Sequence, residues 1–458
     1  MKILNGGIVI LTSKLAIFMG KLSFFVAQKF GKKGTAIPGK VALKFNPHLL
    51  GEISNKCDKI IFITGTNGKT TTNNLLTHVL KGKYKDVLSN LNGSNMIQGV
   101  LTPFITDYKK HYDVGIFEVD EGSVPIVSKY IKPDYFIITN FFRDQLDRYG
   151  EVELSMKMVH DSISPETILV INSDAPSLLS FDDLPNEKIY YGLNQNKFSK
   201  DNINVAESIF CFKCGNRLSY DYISYGNLGK FYCDNCGATN PKADYLLKNV
   251  DLIDDTYEFI VENKSDSEEY ILNLIGLYNL YNALAVISLS KEMNLPHELI
   301  NKRINNFEYR LGRMEKFNYS KKDAMLVLSK NPVGLSEVFS TITYDENEKS
   351  ILFILNDYAP DGKDISWIWD ADFEEINKIP NLKNFYCGGT RAEDLSLRLK
   401  YAGVDEKILK IYPAKNQFTI DEAIDEILNE DIKSFIIGTF TAMPEARKRL
   451  LKKEEEKF

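Results

Sequence analysis

From residue 59 onward, short β-branched runs alternate with segments long enough for a helix, and no other feature constrains the fold as tightly. Residues 59–64, Lys-Ile-Ile-Phe-Ile-Thr, read as a buried strand and 67–81 as the helix after it. The strand signal returns at 113–118, 134–139 and 167–171, each time after a helix-length interval. Parallel strands need crossover connections, so the alternation predicts a parallel α/β sheet. Residues 283–293 read as a helix, and after Arg313 the pattern starts afresh with strand candidates at 324–328, 350–355, 384–386, 408–411 and 434–437. That is the pattern of a second, smaller Rossmann-like domain.

Gly65-Thr66-Asn67-Gly68-Lys69-Thr70-Thr71 follows the first strand and opens its helix. A glycine-rich turn entering a helix presents backbone N–H groups and the helix N-terminus to an anion, and here it predicts a nucleotide-phosphate cradle. Lys69 would reach the β- and γ-phosphates and Thr70 would place its hydroxyl on Mg²⁺. The usual first glycine of such a loop falls at Ile63, so this is a compact variant. As a residue of an exposed loop, Lys69 is expected to be replaceable at little cost to the fold. The metal also needs a carboxylate at the end of a neighbouring strand, and Glu118, which closes the apolar run before Asp120 and Glu121, is the candidate; a solvated acidic loop is the plainer account.

Four of six cysteines form the spacing Cys-x2-Cys-x18-Cys-x2-Cys at Cys211, Cys214, Cys233 and Cys236. Four thiolates complete a tetrahedral shell, so the spacing predicts a structural zinc ribbon inserted at about 205–242. Cys57 and Cys387 stand alone and read as buried structural thiols. With 56 basic against 62 acidic residues the chain has no bulk positive field for nucleic acid, and no basic cluster lies between the cysteine pairs. At the N-terminus, Leu4, Ile8, Leu11, Leu15, Phe18, Leu22 and Phe25 recur as one helical stripe among lysines. Lys14 and Lys21 interrupt it too soon for a transmembrane span, and no cleavage-site pattern comes after it. The stripe fits either docking on its own domain or contact with an anionic membrane surface. A reduced, cytoplasmic setting is expected, with the inner face of the membrane as a possible station.

These motifs, with Gly276-Leu-Tyr-Asn279-Leu-Tyr-Asn282-Ala-Leu-Ala285 and Gly312-Arg313-Met-Glu315, resemble the successive ATP-site signatures of the Mur ligases, which phosphorylate a carboxylate and let an amine displace the phosphate. The resemblance implies an adenine contact at Asn279 and a phosphate contact at Arg313. It implies a central ATPase domain over 52–313 carrying the zinc ribbon; the sequence pattern adds an N-terminal helical segment over 1–51 and the Rossmann-like domain over 314–458. Where Mur ligases usually carry Asp-His-Leu-Asp, this chain has Asp144-Gln145-Leu146-Asp147.

Together with 139–147 and Asp361-Gly-Lys-Asp364-Ile-Ser-Trp367, the cysteine insertion is similar to the Mur-ligase-like subunits that amidate lipid II with a GatD-like glutamine amidotransferase partner. That likeness implies an ATP-, Mg²⁺- and Zn²⁺-dependent carbon–nitrogen ligase with glutamine as nitrogen donor. Asp364 would assist the partner's cysteine–histidine pair, with Asp357 and Asp361 as lesser candidates. The alternatives are an amino-acid-adding ligase of the Mur or folylpolyglutamate type and a zinc-ribbon nucleic-acid-binding ATPase.

Overall fold

A computed structural model describes residues 2–455 apart from 32–33, 92–93, 143–151, 201–209, 254, 309–312, 320–321, 415–416 and 431. Strands β1 (Cys57–Thr64), β2 (Val87–Ser89), β3 (Tyr112–Glu118), β4 (Tyr135–Ile138), β5 (Ile168–Asn172) and β6 (Lys188–Leu193) form a parallel core in the order β6-β5-β4-β1-β3-β2. β1 is the centre because it is apolar on both faces: Ile60 to Thr64 are all buried, and Ile61 to Ile63 pair with β3 on one side and β4 on the other. The chain winds outward in both directions from β1, which is the position where open α/β sheets leave a crevice at their carboxyl edge.

Beyond β6 the sheet changes character. β9 (Tyr245–Ile253) pairs with β6 in parallel, and β10 (Thr256–Glu262) and β11 (Ser267–Leu272) continue it antiparallel, giving nine strands in all. These alternate buried and exposed positions, as strands with one wet face do. The hairpin β7 (Ser219–Tyr225) and β8 (Leu228–Tyr232) stands apart, between the two cysteine pairs.

The second sheet runs β12-β13-β17-β14-β15-β16, built from Arg313–Tyr319, Lys322–Leu328, Lys433–Gly438, Lys349–Ile354, Leu382–Gly389 and Leu409–Pro413. Its five parallel strands match the five sequence candidates, with 355 and 408 falling one residue outside; β12 is an added antiparallel edge. Apolar cores cover both of its faces, one around Phe339, Phe353 and Phe385, the other around Leu352, Ile424 and Ile436.

The N-terminal stripe does form a helix, α1 (Lys2–Lys29), which packs on α2 (Ile37–Phe45). It is seated by the opposite face, however. Ala16, Gly20 and Ala27 point inward while Leu15, Phe18, Leu22 and Phe25 are exposed. Among the described residues, no helix is long and apolar enough to cross a membrane.

Candidate active site

The loop 65–68 leaves the carboxyl end of β1 and turns into helix α3 (Lys69–Leu80). Gly65 (φ 124°) and Gly68 (φ 88°) sit in left-handed backbone, and a Cβ on either would fall within 2.3 Å of Thr139 Oγ1 or 2.2 Å of Asn282 Oδ1. The loop is held from β4's end. Thr66 and Asn67 donate their N–H groups to the Asn140 carbonyl oxygen and Oδ1, each at 2.9 Å, and Thr139 Oγ1 donates to the Asn67 carbonyl at 2.8 Å. The first N–H groups of α3 lack intrahelical acceptors, which leaves the turn ready for an anion.

Lys69 is not the exposed residue expected of a loop. It is 8% exposed, and its Nζ donates to both Glu121 carboxylate oxygens at 3.1 and 3.3 Å and to the Gly65 carbonyl. The acids that close and follow β3 are equally far from a solvated loop, since Glu118, Asp120 and Glu121 are all buried. Glu118 is fixed through its backbone by Asn90, which accepts its N–H at 2.9 Å and donates to its carbonyl at 2.8 Å. Asn95 Nδ2 donates to Glu118 Oε1 at 3.1 Å. Glu118 Oε2 and, on the first turn of α3, Thr71 Oγ1 are buried without a hydrogen-bond partner among the described residues. Buried polar atoms left unpaired are costly, so two of them beside one phosphate-type loop fit a ligand that brings cations and acceptors of its own.

Asn279 and Asn282 lie on the helix α4 (Leu277–Glu292), packed beside α3. Thr72 Oγ1 donates to Asn282 Oδ1 at 3.3 Å, Asn282 Nδ2 to Asn279 Oδ1 at 3.1 Å, and Asn279 Nδ2 to the Ile275 carbonyl at 2.7 Å. Lys69, Thr70, Thr71, Glu118 and Asn279 are thus brought to one carboxyl edge. Arg313 opens β12, and its side chain, like Asp144 to Asp147, lies outside the described residues.

The sequence reading missed two contributions. One is a wall of tyrosines: Tyr191, Tyr225, Tyr278 and Tyr281 line a cavity of about 10 Å³ against Asn67, Gly68 and Asn282. Asn67 Nδ2 donates to Tyr225 OH at 3.0 Å, and Tyr281 OH to the buried Asp174 at 2.8 Å. Burial pushes the Asp174 carboxyl up to about 6. The other is Asn331, which caps helix α5 (Pro332–Thr343) by accepting the Gly334 N–H at 2.8 Å and donates to Asn67 Oδ1 at 2.9 Å. It ties the second sheet to the phosphate-type loop of the first. Asn-Pro after a strand was its only sequence signal.

The four insertion cysteines converge. Their sulfurs lie within 4.8 Å of one another, and two turns frame them, with Gly215 and Gly237 donating N–H groups to the Cys211 and Cys233 carbonyls. The Asn216 N–H pulls the Cys214 thiol down, while at Cys236 the Ala238 N–H is outweighed by burial and the neighbouring sulfurs, which hold that thiol up. Cys387 is fully buried and Cys57 half-buried, and burial pushes both thiols up to about 12, so neither is poised as a nucleophile. Asp364 lies on the other sheet, in the segment after β14. Asp357 accepts from Thr390 Oγ1 and Asp361 from the Thr441 N–H, whereas Asp364 is exposed and accepts the Ser366 N–H at 2.8 Å.

A strand–loop–helix phosphate turn at the centre of a parallel sheet, closed by a second α/β unit, defines the chain as a protein of the Mur ligase fold. Residues 63–239 match the Mur ligase middle domain and 328–443 the MurT ligase C-terminal family. The MurF ligase of Thermotoga maritima, solved in complex with ADP, superposes with a TM-score of 0.64 at 13% identity, covering 91% of this chain and 84% of that one. The subunit MurT of the glutamine-hydrolysing lipid II isoglutaminyl synthase of Staphylococcus aureus is 37% identical over 86% of this chain and 89% of its own. That of Streptococcus pneumoniae is 35% identical over 97% and 98%. The chain belongs to the MurT family of carbon–nitrogen ligase subunits.

Proposed function

We propose that this chain amidates the α-carboxylate of D-glutamate in the lipid II stem peptide to D-isoglutamine. A carboxylate oxygen attacks the γ-phosphorus of ATP and ADP leaves; ammonia then attacks the acyl carbon of the resulting acyl phosphate, and inorganic phosphate departs with that oxygen. A carboxylate is a poor electrophile until one oxygen becomes a leaving group, and that conversion is what the loop is built to assist. Lys69 balances phosphate charge, the N–H groups of the turn orient it, Asn279 contacts adenine and Arg313 a phosphate. Thr70 and Glu118 would hold Mg²⁺, which would neutralise developing phosphate charge. The observation carrying this reading is the pair of unsatisfied buried atoms, Thr71 Oγ1 and Glu118 Oε2, beside Lys69.

The four cysteines hold Zn²⁺ as a closed structural site. Ammonia comes from a GatD-like glutamine amidotransferase subunit, to whose histidine Asp364 lends its carboxylate in trans. Asp364 is the one of three local aspartates that faces solvent as an exposed residue, and Trp369 and Tyr401 stack edge-on and exposed nearby in the fold of this segment. The acceptor is lipid-linked, so the reaction takes place at the inner face of the membrane.

The test is mass measurement of lipid II after incubation of the co-purified complex with ATP and either glutamine or free amino acids. The reading expects a product lighter than substrate by about one mass unit with glutamine, the exchange of hydroxyl for amine. Addition of an amino-acid residue, or no change with glutamine, would overturn it.

A further inference from the structure

We propose that α1 is an interfacial anchor whose outer face lies in the headgroup layer of an anionic bilayer. Residues 1–51 contain eight lysines and neither aspartate nor glutamate. Since the whole chain is −6, this +8 leaves −14 on the rest. A polarity this sharp orients the molecule toward a negative surface before any contact forms.

The seating of α1 is the reverse of what water favours. At the inner face, Ala16 is fully buried and Gly20 is packed so closely that a Cβ there would meet Ile105 at 3.0 Å and the Pro38 carbonyl at 3.1 Å. The large side chains face outward instead: Leu15, Phe18, Leu22, Phe25 and Val26 are 45 to 62% exposed, and Phe30 beyond the helix is 78% exposed. At about 100° per residue these five fall within an arc of about 100°. Lys14 and Lys21 border that arc, and Lys29 lies over the Phe25 ring at 4.8 Å. An apolar stripe with lysines at its margin is the composition of a helix that lies in the membrane plane, with aromatic groups below the headgroups and ammonium groups among them. A second copy of the chain would bring +8 against +8, which opposes pairing through this face.

The docking stands on the helix itself; its use, carrying the phosphate loop to a lipid-linked acceptor, rests on the proposed reaction, so binding and amidation are measured apart. The full chain, co-purified with its partner subunit, is floated with vesicles of phosphatidylglycerol and phosphatidylcholine mixed, or of phosphatidylcholine alone. Binding is expected to the mixed vesicles and to fall at least tenfold without the anionic lipid or in 0.5 M salt. Phe18→Ser with Phe25→Ser should lower it at least tenfold at unchanged unfolding midpoint and ATP hydrolysis. In a separate variant, Phe25→Trp should give indole fluorescence that brominated lipid quenches. If wild type ignores the mixed vesicles, or the double serine variant binds them as wild type does, the proposal fails. A concentration-dependent dimer that the serine pair dissolves, without vesicle binding, would assign the stripe to a second copy and overturn it too. Vesicle binding without amidation would count against the reaction and leave the anchor standing.

Discussion

Replacing Lys69 with alanine should do two separable things. The Lys69–Glu121 pair is buried, at 3.1 Å with both side chains about one-tenth exposed, so removing the ammonium leaves a carboxylate in a dry site. Breaking a buried pair from one side costs about 3–5 kcal/mol, against about 0.5 kcal/mol for an ordinary surface substitution. For a unit of this size that is a fall in unfolding midpoint of about 10 °C. A second substitution, Glu121→Gln, removes the stranded charge and should return most of the lost stability. It should return none of the catalysis, because the Lys69 ammonium that balances charge on the transferred phosphate is still missing. The assay is thermal unfolding of wild type, Lys69→Ala and Lys69→Ala/Glu121→Gln, run beside amidation by the purified complex. An unshifted midpoint in the single variant would refute the burial argument. Normal turnover by either variant would refute the assignment of the loop.

Three further outcomes are expected. Burial pushes Glu337 from its ordinary 4.5 up to about 7, opposed by Lys200 and reinforced by Glu375, so the folded chain keeps a proton that the unfolded chain has released. Stability should therefore fall by about 3 kcal/mol as pH rises from about 4.5 to 7, and Glu337→Gln, equal to wild type near pH 4.5, should unfold later at pH 8. Cys214→Ser should abolish a stoichiometry of one zinc per chain and raise hydrogen exchange over 210–240 while nucleotide binding persists, as metal analysis and exchange mass spectrometry would report. Asp364→Asn, co-purified with the partner, should lose glutamine-driven amidation yet keep amidation from concentrated ammonium.

The parts of the fold that were legible in the sequence are those carried by contiguous residues. Gly65 to Thr71 announce a phosphate turn because strand, loop and helix N-terminus succeed one another within a few residues, and β1, β3, β4 and β5, like β14 of the second sheet, announce themselves because burial leaves an unbroken apolar run, whereas the three-residue β2 and the partly exposed β6 do not. β9 to β11 escaped because one wet face dilutes the apolar signal with Glu258, Glu262 and Glu268. Partners that meet only through the fold escaped as well. Glu121 is 52 residues from Lys69 and one of three acids there, and Asn331 reaches Asn67 from a different sheet, 264 residues away.

Helix α1 marks a subtler boundary. Periodicity reports which positions share a face, and it correctly places Leu15, Phe18, Leu22 and Phe25 together, but the face that turns inward is chosen by the surface it must fit. Here that surface brings Ile105 and the Pro38 carbonyl within about 3 Å of where a side chain at position 20 would begin, so only the face bearing Gly20, Ala16 and Ala27 can approach. The large residues are then left outside by exclusion, and the same contact that docks the helix on its own domain is what makes its apolar stripe available to a membrane.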